Sequence, residues 1–222
     1  MRYLAIFLAL AGHAGAQIYS LPPKPVLSSA GLSLILEGET GGQHQYNRNP
    51  HPEWPGGPSG ITWGIGYDAT AQSENLILSD WRALAPYDVS RLATLHPYRG
   101  QAARIRLNQV RGILVTWKQS LEVFTAVDLA RTWALCVRTF PGFLALRPNA
   151  QAAIASLVFN RGSSLIGPNR LEMRWIAAAV PVRDYERMAY AERHMKRIWK
   201  GTDIEAGMNN RREAEALLFL TP

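Results

Sequence analysis

Apolar residues at helical spacing open the regular part of the chain, at Leu32, Ile35 and Leu36. Glu39 continues this stripe, because positions three, four and seven residues apart share one face of an α-helix. Ser28 or Ser29 can cap the start of such a helix, and the pair Gly41-Gly42 can end it. The pattern predicts a first helix with a glutamate on its apolar face, near the C-terminal end.

The spacing of the apolar residues then changes from helical to alternating. Between positions 46 and 70 the chain is rich in proline, glycine and aromatic residues, and four apolar residues alternate along it: Ile61, Trp63, Ile65 and Tyr67. This alternation predicts a strand whose other face carries Thr62, Gly64, Gly66 and Asp68. A straight strand would separate Thr62 from Asp68 by about 20 Å, so a common site requires a bend at Gly64 or Gly66.

Beyond Ser73 the hydrophobic pattern is helical almost to the end of the chain. It predicts helices near 73–85, 88–95, 119–138, 149–160, 170–179, 183–199 and 208–220. The stretch from Ala150 to Phe159 is apolar nearly all round, which is typical of a buried central helix. The predicted fold class is α+β: a mostly helical domain with a small N-terminal β lobe.

The N-terminus has the features of an export signal. Arg2 precedes an apolar run, and Ala14-Gly15-Ala16 supplies the small residues of a cleavage site, so residues 1–16 are interpreted as a signal peptide. A short releasable anchor or a retained helix is the alternative. Residues 17–27 form a proline-rich linker and 28–222 the folded domain. We expect a protein exported to the periplasm or beyond the cell, without a stable membrane span.

The net charge and the cysteine content limit the classes of partner and cofactor that we expect. The 222 residues carry a net charge of +7, which favours an anionic partner. The basic residues are scattered and no zinc-finger or aromatic RNA-binding motif accompanies them, so nucleic acid is not expected. Cys136 is the only cysteine and excludes an intrachain disulfide, while His44 and His51 lack matching carboxylates for a metal site. No cofactor or metal is predicted, and a monomer is expected.

Two groups of residues suggest chemistry. Partial burial and the negative end of the helix dipole both disfavour the ionised form of Glu39, as a general acid requires, whereas Glu37 points to the opposite, solvated face. Two glycines would leave the face shared by Thr62 and Asp68 bare enough for an extended polymer. The structural alternatives are a surface glutamate at a frayed helix end and a glycine-rich hairpin with a capping aspartate.

The order of these residues resembles a known family. The run Glu39-Thr-Gly-Gly-Gln-His-Gln-Tyr46 and the later Thr62-Trp-Gly-Ile-Gly-Tyr-Asp68 are similar to the phage-type lysozymes of glycoside hydrolase family 24, and most similar to their pesticin-like branch. Arg48 stands where the phage enzymes carry their catalytic aspartate. In the pesticin-like branch the aspartate instead follows the glycine segment, and Asp68 occupies that position. The segment from Ala152 to Gly162 is similar to the family's central helix.

The resemblance implies a lysozyme-like fold and a muramidase that hydrolyses the β-1,4 bond between N-acetylmuramic acid and N-acetylglucosamine in peptidoglycan. Glu39 would be the general acid, with Asp68 and Thr62 positioning water, and an inverting outcome is implied. Candidate substrate contacts are Tyr46, Trp54, Gly64, Gly66, Asn160 and Arg161. For Asn160 and Arg161, simple termination of the helix is the alternative. Two rival functions remain: a lytic transglycosylase, and an inactive wall-binding protein on a lysozyme scaffold.

Overall fold

The computed structural model describes Pro25 and residues 27–222. The predicted signal peptide and nearly all of the predicted linker lie outside the described residues. In the described part of the chain, no helix is long and apolar enough to cross a membrane. This part forms two compact units. We call Glu39–Asp128 the inserted unit, and the described residues up to Gly38 together with Leu129–Pro222 the terminal unit.

Helices dominate both units. The first helix, α1 (Ser29–Thr40), begins in the terminal unit and its last two residues begin the inserted unit. The inserted unit contains α2 (Gly42–Tyr46), α3 (Glu74–Asp80), α4 (Pro86–Ala93), α5 (Gly100–Arg106) and α6 (Trp117–Val123). The terminal unit contains α7 (Leu129–Thr139), α8 (Pro148–Arg161), α9 (Leu171–Ala179), α10 (Tyr185–Met195) and α11 (Glu205–Leu220). Two short strands, β1 (Thr62–Trp63) and β2 (Tyr67–Asp68), form one sheet in the inserted unit.

The predicted boundaries of α1 are confirmed. The Ser28 hydroxyl accepts a hydrogen bond from the amide of Gly31 at 3.1 Å and caps the first turn. Gly41, with φ of 70°, takes the left-handed conformation that ends the helix. Gly31 also lets α1 approach α8, since a Cβ at Gly31 would lie 2.1 Å from that of Ala152.

The core of the terminal unit is built around α8. Every residue from Ala150 to Val158 is buried, which confirms the predicted central helix. Helix α11 packs on α8 and α10, and α10 packs on α9. Of the four charged side chains that are fully buried in this unit, three form one group: Glu192, Arg212 and Glu215. Arg212 pairs with both glutamates, which compensates part of the cost of burying them.

The β element of the inserted unit is a hairpin, so the prediction of one continuous strand is wrong. Gly64 and Gly66 have φ of 61° and 72°, and these left-handed conformations reverse the chain between β1 and β2. The strands pair antiparallel, with Thr62 opposite Asp68 and Trp63 opposite Tyr67. The alternating apolar residues are nevertheless buried, because Trp63 and Tyr67 pack with Trp81 of the core.

Several helices also differ from the predicted ranges. The stretch 73–85 is helical only over α3, because the chain turns into the core at Trp81. The stretch 119–138 is divided into α6, a π-helical turn (Phe124–Asp128) and α7. Helices α2 and α5 were not predicted. Helix α5 buries only Ala103, so it has no apolar stripe that a periodicity argument could detect.

Candidate functional site

The hairpin brings together two of the three predicted catalytic residues. Thr62 and Asp68 are direct partners across β1 and β2, although six positions separate them in the sequence. The bend that a common site requires occurs, and it uses both of the predicted glycines. Thr62 and Asp68 are 9% and 8% exposed, so each presents only a small part of its surface.

A clamp of neighbouring residues fixes the carboxylate of Asp68. Its Oδ1 accepts hydrogen bonds from the backbone amide and from the hydroxyl of Thr70, both at 2.8 Å. Gly60 closes against this pair, because a Cβ there would lie 2.6 Å from Asp68 Oδ1. Arg99 in turn donates to the Thr70 carbonyl at 3.1 Å. Asp68 therefore does cap the turn that follows it, which is the structural role considered from the sequence.

Sequence reasoning missed Thr70, Gly60 and Arg99. The Asp-x-Thr spacing of Asp68 and Thr70 is a local signal that could have indicated the clamp, since an aspartate often accepts from the residue two positions on. Gly60 and Arg99 carry no such signal. Their contacts depend on how the chain returns to the hairpin.

The hydroxyl of Thr62 is only weakly engaged by the protein. Its Oγ1 lies 3.5 Å from the backbone carbonyl of Glu53, which is at the limit of a hydrogen bond. The Glu53 backbone itself pairs closely with that of Thr62, through two bonds of 2.8 Å. The backbone of Thr62 is therefore fixed on both sides, while its hydroxyl can turn towards another partner.

The predicted open glycine face is wrong at Gly64. A Cβ at this position would lie 2.7 Å from the ring of Trp81 and 3.4 Å from the hydroxyl of Ser120. Gly64 thus makes room for the protein's own core, and a role in contacting substrate is not supported there. Gly66 is half-buried and serves the reversal of the chain.

Glu39 lies where the sequence places it. It is the penultimate residue of α1 and is half-buried, which agrees with the predicted partial burial, whereas Glu37 is exposed. Glu39 belongs to the inserted unit, as do Thr62 and Asp68. The three predicted catalytic residues are thus carried by one compact unit.

Tyr46 corrects another part of the prediction. Its ring is buried and packs edge-on against Trp117. The hydroxyl donates to the carbonyl of Val115 at 2.7 Å and lies 2.6 Å from the Ser120 hydroxyl. Both bonds are within the inserted unit, so Tyr46 ties α2 to α6 and is not available as a substrate contact.

Trp54 is also engaged by its surroundings. Its indole Nε1 donates to the carbonyl of Ser59 at 3.1 Å, and the guanidinium of Arg104 lies 5.7 Å from the ring centre. The side chain is half-buried against the core of the inserted unit. A sugar stacked on the face of Trp54 that Arg104 approaches would compete with this guanidinium.

Asn160 and Arg161 lie in the terminal unit, at the end of α8. Asn160 Oδ1 accepts from Arg212 at 3.2 Å, and Arg161 donates to the carbonyl of Asn169. Burial, together with the charges of Arg170 and Arg212, lowers the pKa of Arg161 to about 10. The helix ends at Arg161 with Gly162 as its cap, in agreement with the structural alternative for this pair.

One of the two histidines considered as metal ligands contacts the protein backbone. His51 Nδ1 lies 2.9 Å from the carbonyl of Ile113, a contact that orients the ring towards the backbone. Among the described residues, no group of three or more potential metal ligands is assembled.

Comparison with known proteins does not assign the chain. No protein-family model matches it, and no curated protein matches it at a significant level.

Proposed function

We propose that the protein is a muramidase that cleaves peptidoglycan glycan strands on a lysozyme-like fold. The observation that carries the proposal is the pairing of Thr62 with Asp68 across a glycine hairpin, in the same compact unit as the half-buried Glu39. The order Glu39, Thr62 and Asp68 and its resemblance to the pesticin-like lysozymes supply the chemistry. The mostly helical fold with its small sheet and the buried helix α8 are compatible with this class.

Each residue has a defined role in the proposed reaction. Glu39, protonated, donates its proton to the oxygen of the leaving sugar. Asp68 is oriented through Oδ1 by Thr70, which leaves Oδ2 to accept a hydrogen bond from the attacking water. The weakly engaged hydroxyl of Thr62 holds the same water. An inverting reaction of this kind needs the two carboxyl groups roughly 6.5 to 9.5 Å apart, so that water fits between them.

We also propose where the protein acts and in which oligomeric state. The protein is exported after cleavage near Ala16, acts on the anionic cell wall with its net charge of +7, and works as a monomer.

The first test is the pair Glu39→Gln and Glu37→Gln. The amide keeps the size of the side chain and removes the transferable proton, so Glu39→Gln should abolish turnover of purified peptidoglycan while the fold is retained. Glu37→Gln is the matched control on the exposed face of the same helix and should be nearly silent. Loss of turnover in the control alone would refute the assignment of the acid.

The second test concerns Asp68 and Thr62. Asp68→Asn and Thr62→Ala should each lower the turnover number at least roughly tenfold, since each removes a group that orients water. Arg48→Ala is the control, because Arg48 is exposed and bonds only to Gln45 within the described chain. Near-normal turnover of Asp68→Asn would contradict the two-carboxylate mechanism.

The burial and capping role of Asp68 favour one alternative, a lytic transglycosylase that needs only the glutamate. Mass spectrometry of the released fragments separates the two reactions. Hydrolysis adds one water and leaves a reducing end. Transglycosylation adds no water, so its anhydro product is lighter than the hydrolytic product by about 18 mass units.

A further inference from the structure

Three rings form a group on the surface of the terminal unit, where α9 and α10 pack together. The ring centres of Trp175 in α9 and Tyr190 in α10 are 6.1 Å apart, and the ring planes meet at 26°. The ring centre of His194 is 5.0 Å from that of Trp175 and 6.0 Å from that of Tyr190. Tyr190 is 59% exposed, so much of its ring is accessible to a ligand. We call these three residues the aromatic platform.

A buried carboxylate anchors one end of the platform. Glu172 is fully buried, and its Oε1 accepts from His194 Nδ1 at 2.9 Å and from Arg197 Nε at 2.6 Å. Burial acts to raise the pKa of Glu172, but the hydrogen bonds from Arg197 and His194 outweigh it and keep the pKa below its usual value. The ionised carboxylate therefore fixes the orientation of both partners relative to the rings.

Positive charge exceeds negative charge beside the platform. Arg193 and Lys196 share the carboxylate of Glu213, so together with the pair of Arg197 and Glu172 three cations face two anions. The side chain of Arg197 is 40% exposed. Within the described residues its only hydrogen bond uses Nε, which leaves the two Nη groups to bind an anion in the planar manner of guanidinium.

His194 links Tyr190 to Arg197. It lies one helical turn, about 6 Å, beyond Tyr190 in α10. Arg197 belongs to the 3₁₀ turn that follows α10 and meets His194 at the shared oxygen of Glu172. A ligand that stacks a ring on Tyr190 can therefore place a substituent on His194 and Arg197. The arrangement favours a ligand whose ring has an apolar face and carries an anionic group. It does not favour a partner with an extended apolar surface.

We propose that the aromatic platform, with Arg197, is a binding site for a pyranose that carries a carboxylate. The C–H face of the sugar stacks on Tyr190, and its carboxylate pairs with the guanidinium of Arg197. The carboxylate of Glu172 orients Arg197 and does not contact the sugar. This site belongs to the terminal unit and requires none of the residues proposed for hydrolysis, so it stands or falls independently of Glu39.

Binding can be measured without turnover. The full chain is titrated with N-acetylmuramic acid and, separately, with N-acetylglucosamine, which lacks the carboxylate. Isotope-edited NMR follows the indole resonance of Trp175 during each titration. We expect saturable shifts with the acidic sugar and weaker binding of the neutral one. Tyr190→Ala should weaken binding of both sugars by roughly fivefold, the loss expected for one stacking contact.

The control is Tyr87→Ala, which removes another exposed tyrosine, one that lies against Arg91 in the inserted unit. It should leave both affinities unchanged. Arg197→Gln should remove the preference for the acidic sugar while the neutral sugar still binds. Unchanged affinity in Tyr190→Ala, equal affinity of the wild type for the two sugars, or tighter binding of adenosine monophosphate than of either sugar would overturn the proposal.

Discussion

Replacing Tyr46 by Phe separates a structural role from a substrate contact. The change keeps the buried ring and removes only the hydroxyl, which donates to Val115 O at 2.7 Å and lies 2.6 Å from Ser120 Oγ. Ser120 is almost fully buried, so a lost partner is not replaced by bulk water. Leaving such groups unpaired costs about 1–3 kcal/mol, and we expect Tyr46→Phe to lower the free energy of unfolding by that amount.

The protonation state of the hydroxyl does not complicate this expectation. Burial raises the pKa of Tyr46, and the hydrogen bond from Ser120 lowers it by less. The phenol therefore remains protonated at neutral pH, and the comparison with phenylalanine is one of neutral side chains.

Urea unfolding, followed by circular dichroism, would measure the change. Tyr87→Phe is the matched control, because Tyr87 is 74% exposed and should change stability by less than about 0.5 kcal/mol. Ser120→Ala and the double variant complete a cycle that isolates the coupling of the two hydroxyls. Wild-type stability together with a raised KM for peptidoglycan in Tyr46→Phe would refute the structural role and restore the predicted substrate contact.

Two further predictions concern buried groups. Burial and the nearby charge of Glu215 raise the pKa of Glu192 above its usual 4.5, so the native state keeps a proton that the unfolded chain releases, and stability falls as pH rises from that value. Glu192→Gln should flatten this slope in urea unfolding at several pH values; an unchanged slope would contradict it. Gly64→Ala should be strongly destabilising, since its Cβ would meet Trp81 at a φ of 61°, whereas Gly112→Ala, in open space, should not; calorimetry compares them.

The sequence by itself determined the elements whose causes are local. The stripe through Ile35, the Ser28 cap and the glycine stop define α1, because capping and helical spacing act within a few residues. The same holds for α8, whose apolar surface on all sides requires a buried position. Partial burial of Glu39 followed from its place on the α1 stripe.

The sequence also limited the hairpin without specifying it. It required a bend at Gly64 or Gly66 if Thr62 and Asp68 were to meet, and the structure uses both glycines. It could not show that Trp81 fills the space beside Gly64, because Trp81 is distant in the chain and reaches the hairpin only through core packing.

The tertiary structure decided which polar groups are hydrogen-bonded within the protein. Tyr46 is engaged by Val115 and Ser120, about seventy positions away, and the Asp68 clamp depends on Gly60 and on Arg99. Hydrogen-bond partners of this kind are selected by the packing of whole helices, which spacing along the chain does not encode. Sequence patterns identify groups capable of chemistry, and the fold determines which of them are already used to hold it together.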